Sequence, residues 1–419
     1  MVTILSNKTP GDPAVYAGSG AERPRKTLKN RTNGAAGGMS SVFLLSGVAF
    51  FNLLSRLIFS PLLLSIENDL HISHSASGSL FVFLSCGFAI TMMLSGFISA
   101  KVSHKGTILL SVFSTGFATL SIAFGNSLFY LRVASFAIGL ACGLYLPSGM
   151  ATIIHVVDSK HWGKAISIHE VGYNSSFFVS LFFTAFFLRS IHWRGIMMIL
   201  GAATLLMGLC YTLFEKNGNF VSASPRLHNL PVLAANGQFW TIVILFALAT
   251  GASMGVYSVL PTYLVGELGL RAGDVNALIG FSRLSCVGLL LAAGWLIDNV
   301  DSRLLLGCVI AVTGGLTILL GFSRNVGLQF VVFLQPLIIT CFFPAAFAAL
   351  ARVVPRDMYG VSVSLMIPFT YLIGGGVVPA LLGIAGEYRS FAFGFVVLGI
   401  ILTASLPLLA RRRFSARIE

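Results

Sequence analysis

The sequence predicts an all-α membrane protein with twelve transmembrane helices arranged as two six-helix bundles. Three observations carry that expectation. Of 419 residues, 56% are hydrophobic and only 10% charged, with a mean hydropathy of +0.88; a soluble chain needs far more polar surface to stay dispersed. The apolar residues gather into segments of about 20 or more, the length that crosses a hydrocarbon core of about 30 Å. The longest polar interval between such segments, 215–237, divides them six and six.

Residues 1–40 are polar and basic and hold no uninterrupted apolar stretch of the length a secretory signal needs. They read as a disordered cytoplasmic tail. The first bundle occupies 41–214, with spans at 41–64, 77–100, 106–125, 128–154, 164–188 and 195–214. A central cytoplasmic loop, 215–237, leads to the second bundle, 238–410, with spans at 238–264, 275–297, 303–322, 326–351, 359–384 and 390–410. Residues 411–419 form a basic cytoplasmic tail.

Orientation follows from the bias of Lys and Arg toward cytoplasmic loops. With the N-terminus inside, nineteen basic residues fall on the cytoplasmic side, among them Lys101, Lys105, Lys160, Arg303 and Arg411. Five fall opposite: Arg189, Arg194, Arg271, Arg324 and Arg389. Both termini are therefore expected in the cytoplasm, in a multi-pass protein of a bacterial plasma (inner) membrane. The net charge of +13 is spread over short loops and tails, which argues against a nucleic-acid partner. The six cysteines all lie in apolar segments without a CxxC pattern or a Cys/His cluster. They read as small packing residues, and no metal or other cofactor is expected.

The halves repeat one another. Span one ends Pro61-Leu-Leu-Leu-Ser-Ile-Glu67-Asn-Asp-Leu70 and span seven ends Pro261-Thr-Tyr-Leu-Val-Gly-Glu267-Leu-Gly-Leu270. Parallel repeats of this kind place a substrate site near the midplane between the halves.

Four charges lie inside spans: Arg56, Arg132, Arg283 and Glu170. Charges at such depth are costly and face a protein interior or a water path. Arg56 sits about 22 Å into span one and Arg283 about 12 Å into span eight, at 1.5 Å per residue. Neither has an acid three or four residues away on its own helix. Approaching from opposite halves, they outline a cleft for carboxylate or phosphate, which a guanidinium grips bidentately. The alternative for each is bonding to backbone carbonyls where a helix is broken. Tyr145, Tyr173, Tyr257 and Gln335 are candidate polar groups of the same cleft. Glu170, with His169 beside it and Asn174 one turn on, suits a group that takes up and releases a proton, and His155 could share that proton. A structural hydrogen bond is the competing reading. Arg132 is either part of the coupling group or shallow enough to snorkel to the interface. Pro336, Pro344, Pro368, Pro379 and the run Gly374–Gly376 break regular helix in the second half, and the glycine run reads as a hinge.

The turn after span eight reads Gly294-Trp-Leu-Ile-Asp298-Asn-Val-Asp301-Ser-Arg303. It resembles the major facilitator superfamily, whose loops after spans two and eight carry a Gly-x-x-x-Asp-basic-x-Gly-basic-basic pattern. The first-half counterpart is Gly96-Phe-Ile-Ser-Ala100-Lys101-Val-Ser-His104-Lys105, with Ala100 where the family has aspartate. The resemblance implies a conformational latch at Asp298, Arg303, Lys101 and Lys105, weakened in the first half. Span four, Arg132 through Gly139 and Gly143 to Pro147, resembles the family's arginine-glycine-proline motif, with Gly139 and Gly143 forming a Gly-x-x-x-Gly face for close helix approach. Span one, Asn52-Leu-Leu-Ser-Arg56, is similar to that of organic-anion and sugar-phosphate transporters.

The expectation is a monomeric secondary transporter moving a small organic anion by alternating access, as proton symporter or anion exchanger. Two alternatives stand beside it: a proton-driven exporter of a drug, metabolite or siderophore, and a receptor or assembly scaffold that does not transport. Phosphate-binding loops, metal clusters and nucleophile arrangements are not found in the sequence, which argues against an enzyme.

Overall fold

The computed structural model describes residues 35–158, 161–221, 230–355 and 358–410. The expected tails, apart from Ala35–Ser40, and residues 222–229 of the expected central loop lie outside that set. Among the described residues every regular element is helical. The helices are α1 (Gly38–Leu70), α2 (His74–Ile122), α3 (Leu128–Val156), α4 (Trp162–Phe187), α5 (Trp193–Phe214) and a short α6 (Leu230–Ala235). There follow α7 (Gly237–Glu267), α8 (Ala272–Asn299), α9 (Arg303–Phe322), α10 (Asn325–Val353), α11 (Val361–Tyr388) and α12 (Phe391–Leu409). Among the described residues, nine of them (α1, α2, α3, α5, α7 and α9 to α12) are long and apolar enough to cross a membrane by length and composition. The 49-residue run α2 is broken at Ser103 (φ 73°, ψ 165°), inside the interval where the sequence puts a turn between spans two and three.

Prolines set the breaks. α1 is interrupted at Ile58, α3 at Leu144 and α10 at Cys341, each three residues before a proline: Pro61, Pro147 and Pro344. Proline has no N–H to donate to the carbonyl of the preceding turn and its ring crowds that carbonyl, so the ladder gives way just upstream. Three further irregularities among the described residues are π turns: Gly251–Gly255 in α7, Ile373–Val377 in α11, and Tyr263–Glu267 closing α7.

The outer surface is greasy. Phe129 (76% exposed), Phe186 (71%) and Phe322 (69%) face outward, the side that lipid would cover. Inside, one apolar core runs through the second half and takes in Leu53, Leu57, Phe177 and Leu181 from α1 and α4. Two smaller cores fill the first half, around Phe88 and Trp193 and around Tyr145 and Tyr211.

The Gly-x-x-x-Gly face of α3 lies against α2. A Cβ on Gly139 would stand 2.0 Å from the Leu84 carbonyl oxygen, and one on Gly143 2.4 Å from that of Phe88. No rotamer change relieves a clash with backbone. Gly139→Val is therefore expected to destabilise the protein by about 3 kcal/mol or more, at or beyond the upper end of overpacking costs. Thermal unfolding in detergent, followed by loss of the monodisperse gel-filtration peak, measures it; an unchanged midpoint would contradict the packing.

The two halves of the chain meet tightly at the end bearing the 71–73 and 389–390 turns. A Cβ on Gly383 of α11 would come within 2.5 Å of the His74 carbonyl oxygen, and one on Gly78 of α2 within 3.2 Å of the Ala380 Cα. The Ser75 N–H donates to Glu387 Oε2 at 3.0 Å.

Candidate functional site

Arg56 lies two residues before the break in α1. It is 8% exposed, and its Nε and Nη1 have no hydrogen-bond partner. Its guanidinium carbon stands 4.1 Å from the Phe88 ring of α2 and 5.1 Å from the Tyr371 ring of α11. Aromatic faces stabilise a cation without satisfying its N–H groups, so this charge is cradled and still short of acceptors. It faces a cavity of about 30 Å³, lined also by Ser60, Phe81, Leu84, Ser85, Met254, Tyr257 and Ser258. The lining comes from both halves of the chain. In this conformation the space suits about one water molecule, so a larger guest requires the halves to part.

Arg283 is placed differently. Its Nη2 donates to the Ser253 carbonyl at 2.8 Å and its Nη1 to Ser253 Oγ at 3.3 Å. Ser253 lies in the π turn of α7, where the widened ladder leaves carbonyls open to side-chain donors. Gln335 acts likewise one residue earlier, its Nε2 donating to the Ala252 carbonyl at 2.9 Å. Arg283 also stands 5.0 Å from the rings of both Phe177 and Tyr257. It does not line the Arg56 cavity. Tyr257 stands between the two surroundings: it lines that cavity and its ring lies beside Arg283, while its hydroxyl pairs with Ser180 Oγ at 2.6 Å and lies 3.2 Å from the Phe177 carbonyl. The structure thus brings Arg56 and Tyr257 to one space and engages Arg283 and Gln335 with the backbone of α7.

The second π turn packs on the first. A Cβ on Gly374 would lie 2.6 Å from the Gly251 nitrogen, so only glycine permits these two irregular backbones to touch.

Tyr145 and Glu170 belong to a separate group toward the other end. The Tyr145 hydroxyl donates to the Leu45 carbonyl at 2.6 Å and lies 2.9 Å from His169 Nε2. With its one proton given to Leu45, the hydroxyl can only accept from His169, which fixes the proton on Nε2. His169 Nδ1 is then without a hydrogen-bond partner, 3.5 Å from Glu170 Oε1. A second proton on the imidazole would turn that contact into an ion pair. Glu170 is 45% exposed, less enclosed than its sequence position implies, and its Oε2 accepts from Asn174 Nδ2 at 3.3 Å. His155 points away from this group, and its ring stacks on Phe220 at 4.1 Å.

Of the latch residues, the side chain of Asp298 lies outside the described residues. Lys105 Nζ donates to the Glu215 carbonyl and its backbone N–H to Gly218, tying the start of the central segment to α2. Phe220 from that segment stacks on His155 and packs tilted against His104, 4.6 Å between ring centres. Where Ala100 removes the family's acid, this strap spans the same turn. Lys101 is exposed, and Arg303 begins α9, its N–H donating to Asp301 at 2.9 Å. Arg132 donates from Nε to Ser79 Oγ at 2.8 Å and is partly buried against α2.

Sequence reasoning missed Phe88, Tyr371 and the serines around Arg56, because aromatic and hydroxyl residues in apolar spans carry no signal of which helix face they occupy. Only the tertiary arrangement collects them.

Comparison with known proteins agrees with this architecture. The sequence profile of the Major Facilitator Superfamily matches residues 45–379. Protein TsgA of Salmonella paratyphi C (strain RKS4594) is 24% identical over 227 residues, 51% of this chain and 55% of that protein. The TsgA homolog of Buchnera aphidicola subsp. Acyrthosiphon pisum (strain Tuc7) is 25% identical over 146 residues, 35% of this chain and 38% of that protein. The chain thus spans about half or less of the length of these curated relatives. A solved bacterial homolog of the human lysosomal transporter Spinster, inward-facing and occupied, superposes with a TM-score of 0.74 at 15% identity, covering 88% of this chain and 96% of that one. At that identity the likeness is one of fold.

Proposed function

Because this chain belongs to the Major Facilitator Superfamily, whose members are multi-pass secondary transporters of small molecules, we propose that its cargo is a small organic anion held by Arg56. The observation that supports this reading is a buried guanidinium with two partnerless N–H groups, facing a cavity shared by both halves. A buried cation left short of acceptors costs several kcal/mol, and an anionic guest removes that cost. Phe88 and Tyr371 hold the guanidinium from the sides, and Tyr257 closes the space from the second half. Arg283 and Gln335 act behind it, fixing the irregular backbone of α7 that bears Tyr257; Tyr145 fixes His169.

Transport runs with protons or in exchange for another anion, with the chain acting as a monomer. The lysine and arginine bias supports cytoplasmic termini in a protein of a bacterial inner membrane. Proton movement is assigned to His169 and Glu170, whose contact strengthens when the imidazole gains its second proton. The glycine-lined contact between the two π turns supplies a place for the second half to flex.

The test is uptake into proteoliposomes of a panel of radiolabelled monocarboxylates, dicarboxylates and organophosphates, with and without a pH gradient, beside Arg56→Met. Loss of uptake in that variant is expected; undiminished uptake would remove the anion site. Glu170→Gln is expected to cut proton-driven accumulation at least about tenfold, within the range by which positioned proton-transfer groups contribute, while counterflow exchange persists. Accumulation equal to wild type would leave Glu170 a structural residue.

A further inference from the structure

We propose that His74 is a proton-binding site that holds one end of the transporter shut. His74 Nδ1 lies 2.9 Å from Oε2 of Glu67. Glu67 is 5% exposed, and its other oxygen accepts from the Ser77 hydroxyl. These residues all belong to the first half. The second half brings two more carboxylates to the same place. Glu387 of α11 accepts from the N–H of Ser75, the next residue along from His74, at 3.0 Å. Glu267 of α7 accepts from the Phe391 N–H at 2.7 Å, and the Phe391 ring stands edge-on to the His74 imidazole at 5.1 Å. One imidazole therefore sits in the field of three carboxylates, Glu67, Glu387 and Glu267.

Arg189 at this end is exposed, and several other charged groups there have their own contacts. Asp69 accepts from Arg194 and lies 3.3 Å from His192. Arg324 reaches the Tyr263 hydroxyl at 3.5 Å, Arg389 lies over the Phe393 ring, and Arg271 lies 3.9 Å from Asp274. His71, at the C-cap of the α1 segment, is exposed.

Alternating access parts the two halves at this end. Glu67 then travels with His74, while Glu267 and Glu387 travel with the second half. When the end is shut the imidazolium pairs with Glu67 and feels the charges of Glu387 and Glu267 as well; when it is open only Glu67 remains, so the shut form binds the proton more tightly. By linkage, acidification shifts the population toward the shut form, by up to about tenfold per pH unit for one proton between the affinities of the two forms. The positive-inside expectation puts this end on the outer face, so the pH sensed is external. This inference rests on alternating access and is independent of the cargo's identity.

Phe129 and Tyr388, 76% and 77% exposed, stand at this end in opposite halves and suit spin labels. The measurement is the distance distribution between labels at Phe129→Cys and Tyr388→Cys, in a background with the native cysteines replaced, in nanodiscs from about pH 5 to 8. The shorter-distance population is expected to grow on acidification. His74→Gln, which keeps a donor for Glu67 but cannot titrate, is expected to abolish that dependence. The pair Glu267→Gln and Glu387→Gln is expected to shrink it with His74 intact. Distances unmoved by pH in the labelled parent protein, or a full pH response in His74→Gln, would overturn the assignment.

Discussion

Replacing Arg56 with methionine is expected to abolish anion transport while leaving the protein as stable as before, or more so. Removing one partner of a buried charge pair costs about 2–5 kcal/mol of binding, so uptake at low substrate should fall by roughly 30-fold or more. Stability moves the other way. In the empty protein the guanidinium is buried with Nε and Nη1 unpaired, and methionine of similar length packs against Phe88 and Tyr371 without that penalty. Polar machinery kept at a thermodynamic cost is the signature of a site held ready for a ligand. The check is paired: initial uptake rates in proteoliposomes and thermal midpoints in detergent for the same preparations. A midpoint lowered by several degrees would show that Arg56 is a structural cation, whatever the uptake.

The same residue shows how far the sequence could be read. A charge in an apolar run is legible because hydrocarbon penalises it wherever it points, so Arg56, Arg132, Arg283 and Glu170 stood out from the sequence alone. Their surroundings were not legible. Arg56 and Arg283 lie deep in spans of opposite halves, one and eight, yet one faces a cavity and the other grips the Ser253 carbonyl. The difference lies in the π turn at Gly251–Gly255, a local widening of the helix that no periodicity in Gly-Ala-Ser-Met-Gly announces. The glycine run in α11 did signal irregular backbone, because three consecutive residues without Cβ seldom serve a regular helix. What it packs against, the other π turn, required the fold.

The repeated acids teach the same lesson from the other direction. Glu67 and Glu267 stand at matching offsets after Pro61 and Pro261, which is visible as duplication. In the folded chain Glu67 accepts from Ser77 and pairs with His74 of the following helix. Glu267 instead accepts from the N–H of Phe391 in α12. Duplication conserves where a group stands along its helix, but the neighbours it meets depend on how the other helices pack. The asymmetry puts two second-half carboxylates beside a first-half histidine, an arrangement that exists only while that end is closed.

The engagement of Arg283 also restricts the cargo. Two free guanidiniums in one cleft would suit a dianion; one free guanidinium suits a single carboxylate. Arg283 gives two of its N–H groups to Ser253 and lies outside the Arg56 cavity, and the cavity's other polar residues are Ser60, Ser85, Ser258, Tyr257 and Tyr371, all uncharged. A second carboxylate on the cargo would enter this space without a cation to meet it. Burying an ionised group in that way costs several kcal/mol even after relaxation, so a monocarboxylate is expected to outcompete a dicarboxylate of equal length by about 100-fold or more. Butyrate against succinate, as competitors of a transported monoanion at a pH where both are fully ionised, measures this directly. Succinate competing as well as butyrate, with Arg56→Met abolishing both, would mean that Arg283 leaves Ser253 when the cleft opens and serves as a second anchor. Indifference to Arg56→Met would instead remove the site itself, so the two failures are separable.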